Sequence, residues 1–154
     1  MDVLTNERMR KIDEETIARF CPGLELMERA GRKTAEFILA RYPENNFKAS
    51  IFVGPGNNGG DGLVVARHLA DAGRACSVLY LGSPDKFTMD SLKNYQRLQK
   101  RLEEHQHLRE YSLTRSDWLN LTGKDLADST VIVDAIFGTG LSRPIEGPGR
   151  EIIQ

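Results

Sequence analysis

Ala49-Ser50-Ile51-Phe52-Val53-Gly54-Pro55-Gly56-Asn57-Asn58-Gly59-Gly60-Asp61-Gly62 joins a nearly continuous apolar run to five glycines within nine residues. The apolar run has the form of a strand buried on both faces of a parallel sheet. Leu63 to Ala72 then carries apolar residues at helical spacing, so the glycines read as a strand-to-helix loop. Glycine costs conformational entropy, and this density predicts either positive φ or close approach by another group. A phosphate is the usual guest, because backbone N–H groups at a helix N-terminus form an anion site without a basic side chain. A tight turn with no ligand is the plainer alternative.

Working outward, Thr5 or Asn6 caps a helix carrying Met9, Ile12, Ile17 and Phe20, which Cys21-Pro22-Gly23 interrupts. A second helix follows from about Leu24 to just before Pro43, and both are expected to pack on the sheet. Downstream, Ala75 to Leu81 reads as a second buried strand and Thr88 to Glu104 as a long helix. Leu108 to Leu113 is a weaker strand, and Val131-Ile132-Val133 a strand ending at Asp134. Tyr111 to Ser129 is the least regular segment and reads as a peripheral connection. Strands alternating with helices imply right-handed crossovers between parallel neighbours. The expected fold is therefore α/β: a Rossmann-like, doubly wound, mostly parallel sheet with helices on both faces, forming a single domain over residues 1–154.

Composition narrows the function classes. At 154 residues and 40% hydrophobic content, one core forms without disulfide or metal staples. A net charge of -1 and a pI near 6.3 give no electrostatic footprint for nucleic acid or an acidic membrane surface. The basic runs Arg8 to Lys11 and Arg97 to Arg101 sit among acids and read as solvated helix faces. The first residues lack the pattern of a signal peptide, and no apolar stretch reaches the roughly 20 residues of a membrane span. Cys21 and Cys76 have no Cys-x-x-Cys spacing, which fits free thiols in a reducing, cytoplasmic setting. His105 and His107 are two apart and do not make a zinc pair on a helix.

The glycine segment formally contains Gly-x-Gly-x-x-Gly at Gly54, Gly56 and Gly59, but an ordinary dinucleotide-binding dehydrogenase expects an acidic residue after the next strand. Here Leu81-Gly82-Ser83 stands in that place, with Asp85 only later, and no Gly-Lys-Ser or Gly-Lys-Thr marks a P-loop. A second constellation is Val131-Ile132-Val133-Asp134-Ala135-Ile136-Phe137-Gly138-Thr139-Gly140-Leu141-Ser142-Arg143-Pro144. Ligands of open α/β sheets sit outside the carboxyl ends of strands where strand order reverses, so both loops are expected to face one crevice. Asp134 closes its strand there, either as a functional carboxylate or as a structural loop cap. Gly138 and Gly140 let backbone approach a ligand, and Arg143 is either a phosphate clamp or a surface residue.

These two motifs, together with Leu26-Met27-Glu28-Arg29-Ala30-Gly31, resemble the paired signatures and the N-terminal helix of the YjeF N-terminal domain family, the NAD(P)H-hydrate epimerases. The resemblance implies repair of hydrated NADH and NADPH by interconverting R and S forms at C6 of the nicotinamide ring. It implies substrate binding at Asn57, Asn58, Gly59, Gly60 and Asp61, and at Gly138, Thr139, Gly140, Leu141, Ser142, Arg143 and Pro144. It also implies a potassium ion at Asn58 and Asp134, and oxygen donors of that kind suit a hard cation. Inversion at C6 calls for an acid to help hydroxide leave and a base to return water to the opposite face. Asp134 is the first choice for the catalytic carboxylate and Asp61 the competitor.

The family usually continues into a strand carrying Asp-x-Pro-Ser-Gly, whereas this sequence stops at Ile152-Ile153-Gln154. The expectation is a domain lacking its last strands, with weak or no activity by itself, an uncovered apolar edge near Ile132, and either a homodimer or a fused or separate dehydratase partner. A catalytically silent nucleotide-binding module and a protein-interaction module of the same fold are the alternatives.

Overall fold

The computed structural model describes residues 4–44, 46–112, 128–141, 144–145 and 150. Among the described residues four strands, β1 (Lys48–Val53), β2 (Ala75–Tyr80), β3 (Leu108–Ser112) and β4 (Val131–Ala135), pair in parallel in the order β3-β2-β1-β4. Ile51 lies opposite Val78 on one side and Val133 on the other, which places β1 inside the sheet with both its faces buried. The nearly unbroken apolar character of Ser50 to Val53 follows from that position.

Among the described residues, α1 (Asn6–Arg19), α2 (Gly23–Arg41), α3 (Asn57–Asp71), α4 (Met89–Glu104) and a 3-10 turn at Pro84–Lys86 accompany the sheet. α3 lies on the sheet with α2 and α4 packed along its two sides. Ala49, Ile51, Val53, Val78, Leu63, Leu69 and Leu98 form the main core between sheet and helices. The opposite sheet face carries a smaller cluster of Phe52, Leu79 and Ile136. α2 buries Met27, Gly31, Ala35 and Ile38, residues spaced three or four apart on one stripe, and stops at Tyr42 before Pro43. No helix among the described residues is long and apolar enough to cross a membrane.

α1 departs from expectation. Thr5 caps it, its Oγ1 accepting from Arg8 N at 3.3 Å, yet the helix buries no residue and Phe20 is 81% exposed. With α2 and α4 already flanking α3, α1 stands away from the sheet at the rim of the cleft described below. β4 is an edge strand among the described residues, and Ile132 is 62% exposed.

The glycine segment also differs from a loop. α3 begins at Asn57, six residues before the expected Leu63, and the two positive-φ glycines among the described residues are Gly73 and Gly82. What demands glycine is close approach of the protein to itself. A Cβ on Gly59 would overlap the Gly54 carbonyl oxygen, and one on Gly54 would overlap the Ile136 carbonyl oxygen. Backbone thus stacks on backbone from β4 across β1 to the first turn of α3.

The Leu26 to Gly31 motif has a packing role in the same region. Met27 is buried beneath Gly60, and the Glu28 carboxylate accepts hydrogen bonds from Arg67, His68 and Arg97, tying α2 to α3 and α4. Burial opposes the charge on Glu28, but hydrogen bonds from His68 and Arg67 hold its carboxyl below the ordinary range. His105 and His107 lie beyond the end of α4 with ring centroids 5.1 Å apart, facing Asp71 and the Ala70 carbonyl at the C-terminus of α3.

Candidate functional site

The order runs from β1 outward through β2 to β3 and then returns to set β4 on the other side of β1, so strand order reverses between β1 and β4 and a cleft opens at their carboxyl ends. The cleft has a volume of about 880 Å³. Its floor comes from Pro55 to Asn58, its far wall from Ile136 to Leu141, and its near rim from Arg10, Asp13, Glu14 and Ile17 of α1, with Asp61 and Thr88 completing the lining.

Two helix N-termini meet here. At α3, the N-cap Gly56 supplies no side-chain hydrogen bond and the first turn contains no acid, so the opening N–H groups and the positive helix end face the cleft uncompensated. At α4, Thr88 is the N-cap, its Oγ1 accepting from Ser91 N at 3.4 Å. The two ends are laced together: the Thr88 hydroxyl donates to Asn57 Oδ1 at 2.6 Å, and the buried Ser91 hydroxyl donates to the Gly56 carbonyl at 2.9 Å. Across the cleft, Asn58 Nδ2 donates to the Phe137 carbonyl at 3.2 Å, and a Cβ on Gly138 would lie 3.2 Å from Asn58 Cβ. Arg10 closes the ring by donating from Nη2 to the Thr139 carbonyl at 3.3 Å.

Asp61 stands out electrostatically. Burial, and secondly the nearby Asp13 carboxylate on α1, push its carboxyl from an ordinary 3.8 up to about 7. It is thus a carboxylic acid that keeps its proton close to neutral pH while lining an open cleft, the condition for a proton donor in that pH range.

Of the residues proposed from sequence, Asn57, Asn58, Asp61, Gly138, Thr139, Gly140 and Leu141 line this one cleft. Gly59 and Gly60 are buried inside α3 and do not line it. Pro144 is exposed and away from the lining, and Ser142 and Arg143 lie outside the described residues. Asp134 is the penultimate residue of β4, the direct neighbour of β1, one residue short of its end at Ala135; its Oδ1 accepts from Ile136 N at 3.0 Å, and it too is absent from the lining. The structure therefore gives Asp134 the loop-capping bond foreseen as its structural alternative.

The donor set suits the oxygen-ligated cation that the sequence motif implies. Asn58 uses its amide N–H on Phe137, which leaves its carbonyl oxygen as a donor atom, and Asp134 keeps Oδ2 beyond its bond to Ile136. No group of three or more His, Cys, Asp or Glu residues is gathered for a metal among the described residues. Sequence reasoning missed Arg10, Asp13, Thr88 and Phe137. For Thr88 the signal was its place as N-cap. Arg10 sits in the Arg8 to Lys11 run that reads as a solvated helix face, with Asp13 just beyond it, and only the displacement of α1 from the sheet brings them to the cleft.

Comparison with known proteins places this geometry. The chain is 38% identical over 151 residues to an NAD(P)H-hydrate epimerase of Lentilactobacillus buchneri, covering 97% of this chain and 64% of that protein. It is 36% identical over 155 residues to the bifunctional NAD(P)H-hydrate repair enzyme Nnr of Thermofilum pendens, covering 100% of this chain and 28% of that one. A solved yeast protein, ynu0, superposes with a TM-score of 0.80 at 28% identity, over 99% of this chain and 63% of its own. The chain thus spans less than two thirds of each of these proteins. Residues 23–154 match the model for the YjeF-related protein N-terminus, and the chain belongs to that family.

Proposed function

We propose that this chain binds hydrated NADH or NADPH in the cleft and interconverts the R and S forms at C6 of the nicotinamide ring, as a metabolite-repair isomerase. The observation that carries the reading is Asp61, a carboxyl kept protonated near neutrality at the mouth of two helix N-termini. Support comes from the relatives named as NAD(P)H-hydrate epimerases. The open backbone of Gly56 to Asn58 accommodates phosphate oxygens, with N–H groups as donors. The Gly138 to Leu141 wall, held against Asn58, borders the rest of the dinucleotide.

In this reading Asp61 donates its proton to the C6 hydroxyl. The C6–O bond breaks, water leaves, and the ring-nitrogen lone pair stabilises the resulting cation. Water then adds from the opposite face and gives its surplus proton to solvent, while Asp61 regains a proton from solvent on its own face, so protons and oxygen atoms balance over the cycle. Asn58 and Asp134 are assigned to a potassium ion, whose chemistry when bound is to orient polar groups and fix local charge. This gives the acid role, which the sequence left open, to Asp61, the competitor of Asp134 for the catalytic carboxylate. Thr88 and Ser91 act as positioning residues that hold Asn57 and Gly56.

We further place the protein in the cytoplasm, where its buried free thiols Cys21 and Cys76 persist, with a dehydratase as fused or separate partner or a second copy of the chain beside it. The test is chromatographic separation of R and S hydrates over time with the wild-type chain and Asp61→Asn. Conversion that falls by a factor of about 100 or more in the variant supports the mechanism. Binding without conversion in the wild type would instead assign a nucleotide-binding module.

A further inference from the structure

The family match begins at residue 23, so the rim that α1 contributes to the cleft is built from residues that precede it. That rim carries an imbalance. Among the described lining residues Asp13, Glu14 and Asp61 are acids, and Arg10 is the one with a guanidinium or ammonium group. Several basic residues on the helices are paired with acids, as Arg29 is with Glu25, Arg67 with Glu28 and Arg101 with Asp71. Arg10 instead donates to a neutral carbonyl, that of Thr139, in an exposed hydrogen bond. A phosphate oxygen is a stronger acceptor for a guanidinium than a solvated carbonyl, and it matches the fork geometry of Arg.

We infer that Arg10 is a ligand for a phosphate group of the dinucleotide, exchanging Thr139 for substrate, and that α1 is the substrate-facing wall that delivers it. This rests on the dinucleotide reading given above and adds a residue that the motifs do not contain. Two further observations support it. α1 buries no residue, so it can shift by small amounts to meet a ligand without unpacking a core. An anionic substrate entering past Asp13 and Glu14 also needs a compensating cation on the same side.

The dinucleotide offers phosphate in two places, the pyrophosphate and, in the NADPH form, the 2′-phosphate. Adenosine diphosphate and adenosine 2′,5′-bisphosphate serve as calorimetric probes that do not depend on epimerisation, measured on wild type, Arg10→Gln and Arg10→Lys at low and high salt. The expected result is binding by wild type, at least tenfold weaker binding by Arg10→Gln with partial recovery in Arg10→Lys, and a smaller salt dependence in the glutamine variant. Loss confined to the diphosphate identifies the pyrophosphate, and loss confined to the bisphosphate identifies the 2′-phosphate. Unchanged Tm in both variants is expected, since Arg10 is exposed. Equal affinity of wild type and Arg10→Gln for both probes, or no binding of either probe by wild type, overturns the inference. Should wild type bind the probes through Arg10 yet leave hydrate epimers unchanged, the epimerase reading fails while the phosphate ligand stands.

Discussion

Replacing Asp61 with Asn removes one ionisable proton and little else in shape, so it isolates the cost of the carboxylate in the cleft. The native carboxyl titrates at about 7 and the unfolded one at about 3.8. Between these values the folded state holds a proton that the unfolded state has released, so native stability is highest below about pH 4, declines as pH rises to about 7, and is level beyond. The gap corresponds to at most about 4 kcal/mol. An amide in the same place has its own desolvation cost of roughly 1 kcal/mol, leaving a gain near 3 kcal/mol for Asp61→Asn at pH 8. In a chain of this size that is roughly 6–12 °C in Tm. Thermal melts of both proteins from pH 4 to pH 8 should therefore converge at the acid end and separate toward pH 8, with the variant the more stable. The same variant should lose epimerisation, making Asp61 a site where function is held at the expense of stability. A Tm difference that stays constant across the pH range would refute the placement of a raised carboxyl here. In wild type, epimerisation should decline above about pH 7 as Asp61 ionises, and Asp13→Asn should move that decline to lower pH by removing the second cause of the shift.

The two glycines at the start of α3 are expected to separate folding from binding. Gly56 has extended backbone, and a Cβ there meets nothing within 4 Å, so Gly56→Val should keep its Tm within about 1–2 °C while weakening dinucleotide affinity by tenfold or more, read by calorimetry. Gly59→Ala should cost about 1–3 kcal/mol in urea denaturation, because its methyl overlaps the Gly54 carbonyl. Thr88→Val removes both the α4 cap and the bond to Asn57; a stability loss of about 1 kcal/mol with a raised KM is expected, and an unchanged KM would separate the cap from the site. Potassium chloride should raise Tm above lithium chloride at equal ionic strength, with the difference abolished in Asn58→Ala; identical melts in the two salts would count against the cation site.

Much of this architecture is written in local pattern. The buried run at Ser50 to Val53, the helix read from Thr88 to Glu104 and the strand read as closing at Asp134 have local causes, and the structure has β1, α4 and β4 at these places, with β4 running one residue further to Ala135. The convergence of the Gly54–Asp61 and Ile136–Leu141 segments followed from one general rule about parallel sheets. The glycines misled because glycine density signals either unusual backbone or tight approach, and sequence does not say which surface approaches. Here Gly54 approaches Gly59, and Met27 and Ser91 approach Gly60, so both glycines serve packing within the chain. The role of α1 was illegible for a different reason. Met9, Ile12 and Ile17 give a reasonable amphipathic stripe, but whether such a stripe finds the sheet depends on whether α2 and α4 leave room for it.

The position of β1 has a kinetic consequence. β1 meets β2 across one crossover helix, and β2 meets β3 across another, so that half of the sheet assembles from contacts near in sequence. β4 must return to β1 over a much longer span; Asn58 and Phe137, which bond across the cleft, are 79 residues apart. Contacts of such separation form slowly, because loop closure must be met before any pairing rewards it. The three-strand part, with α3 already starting after its N-cap Gly56, can exist while the Ile136 to Leu141 wall is still unfolded. The cleft is then among the last parts of the molecule to be completed, and ligand that spans both walls acts as a clamp on the final step of folding.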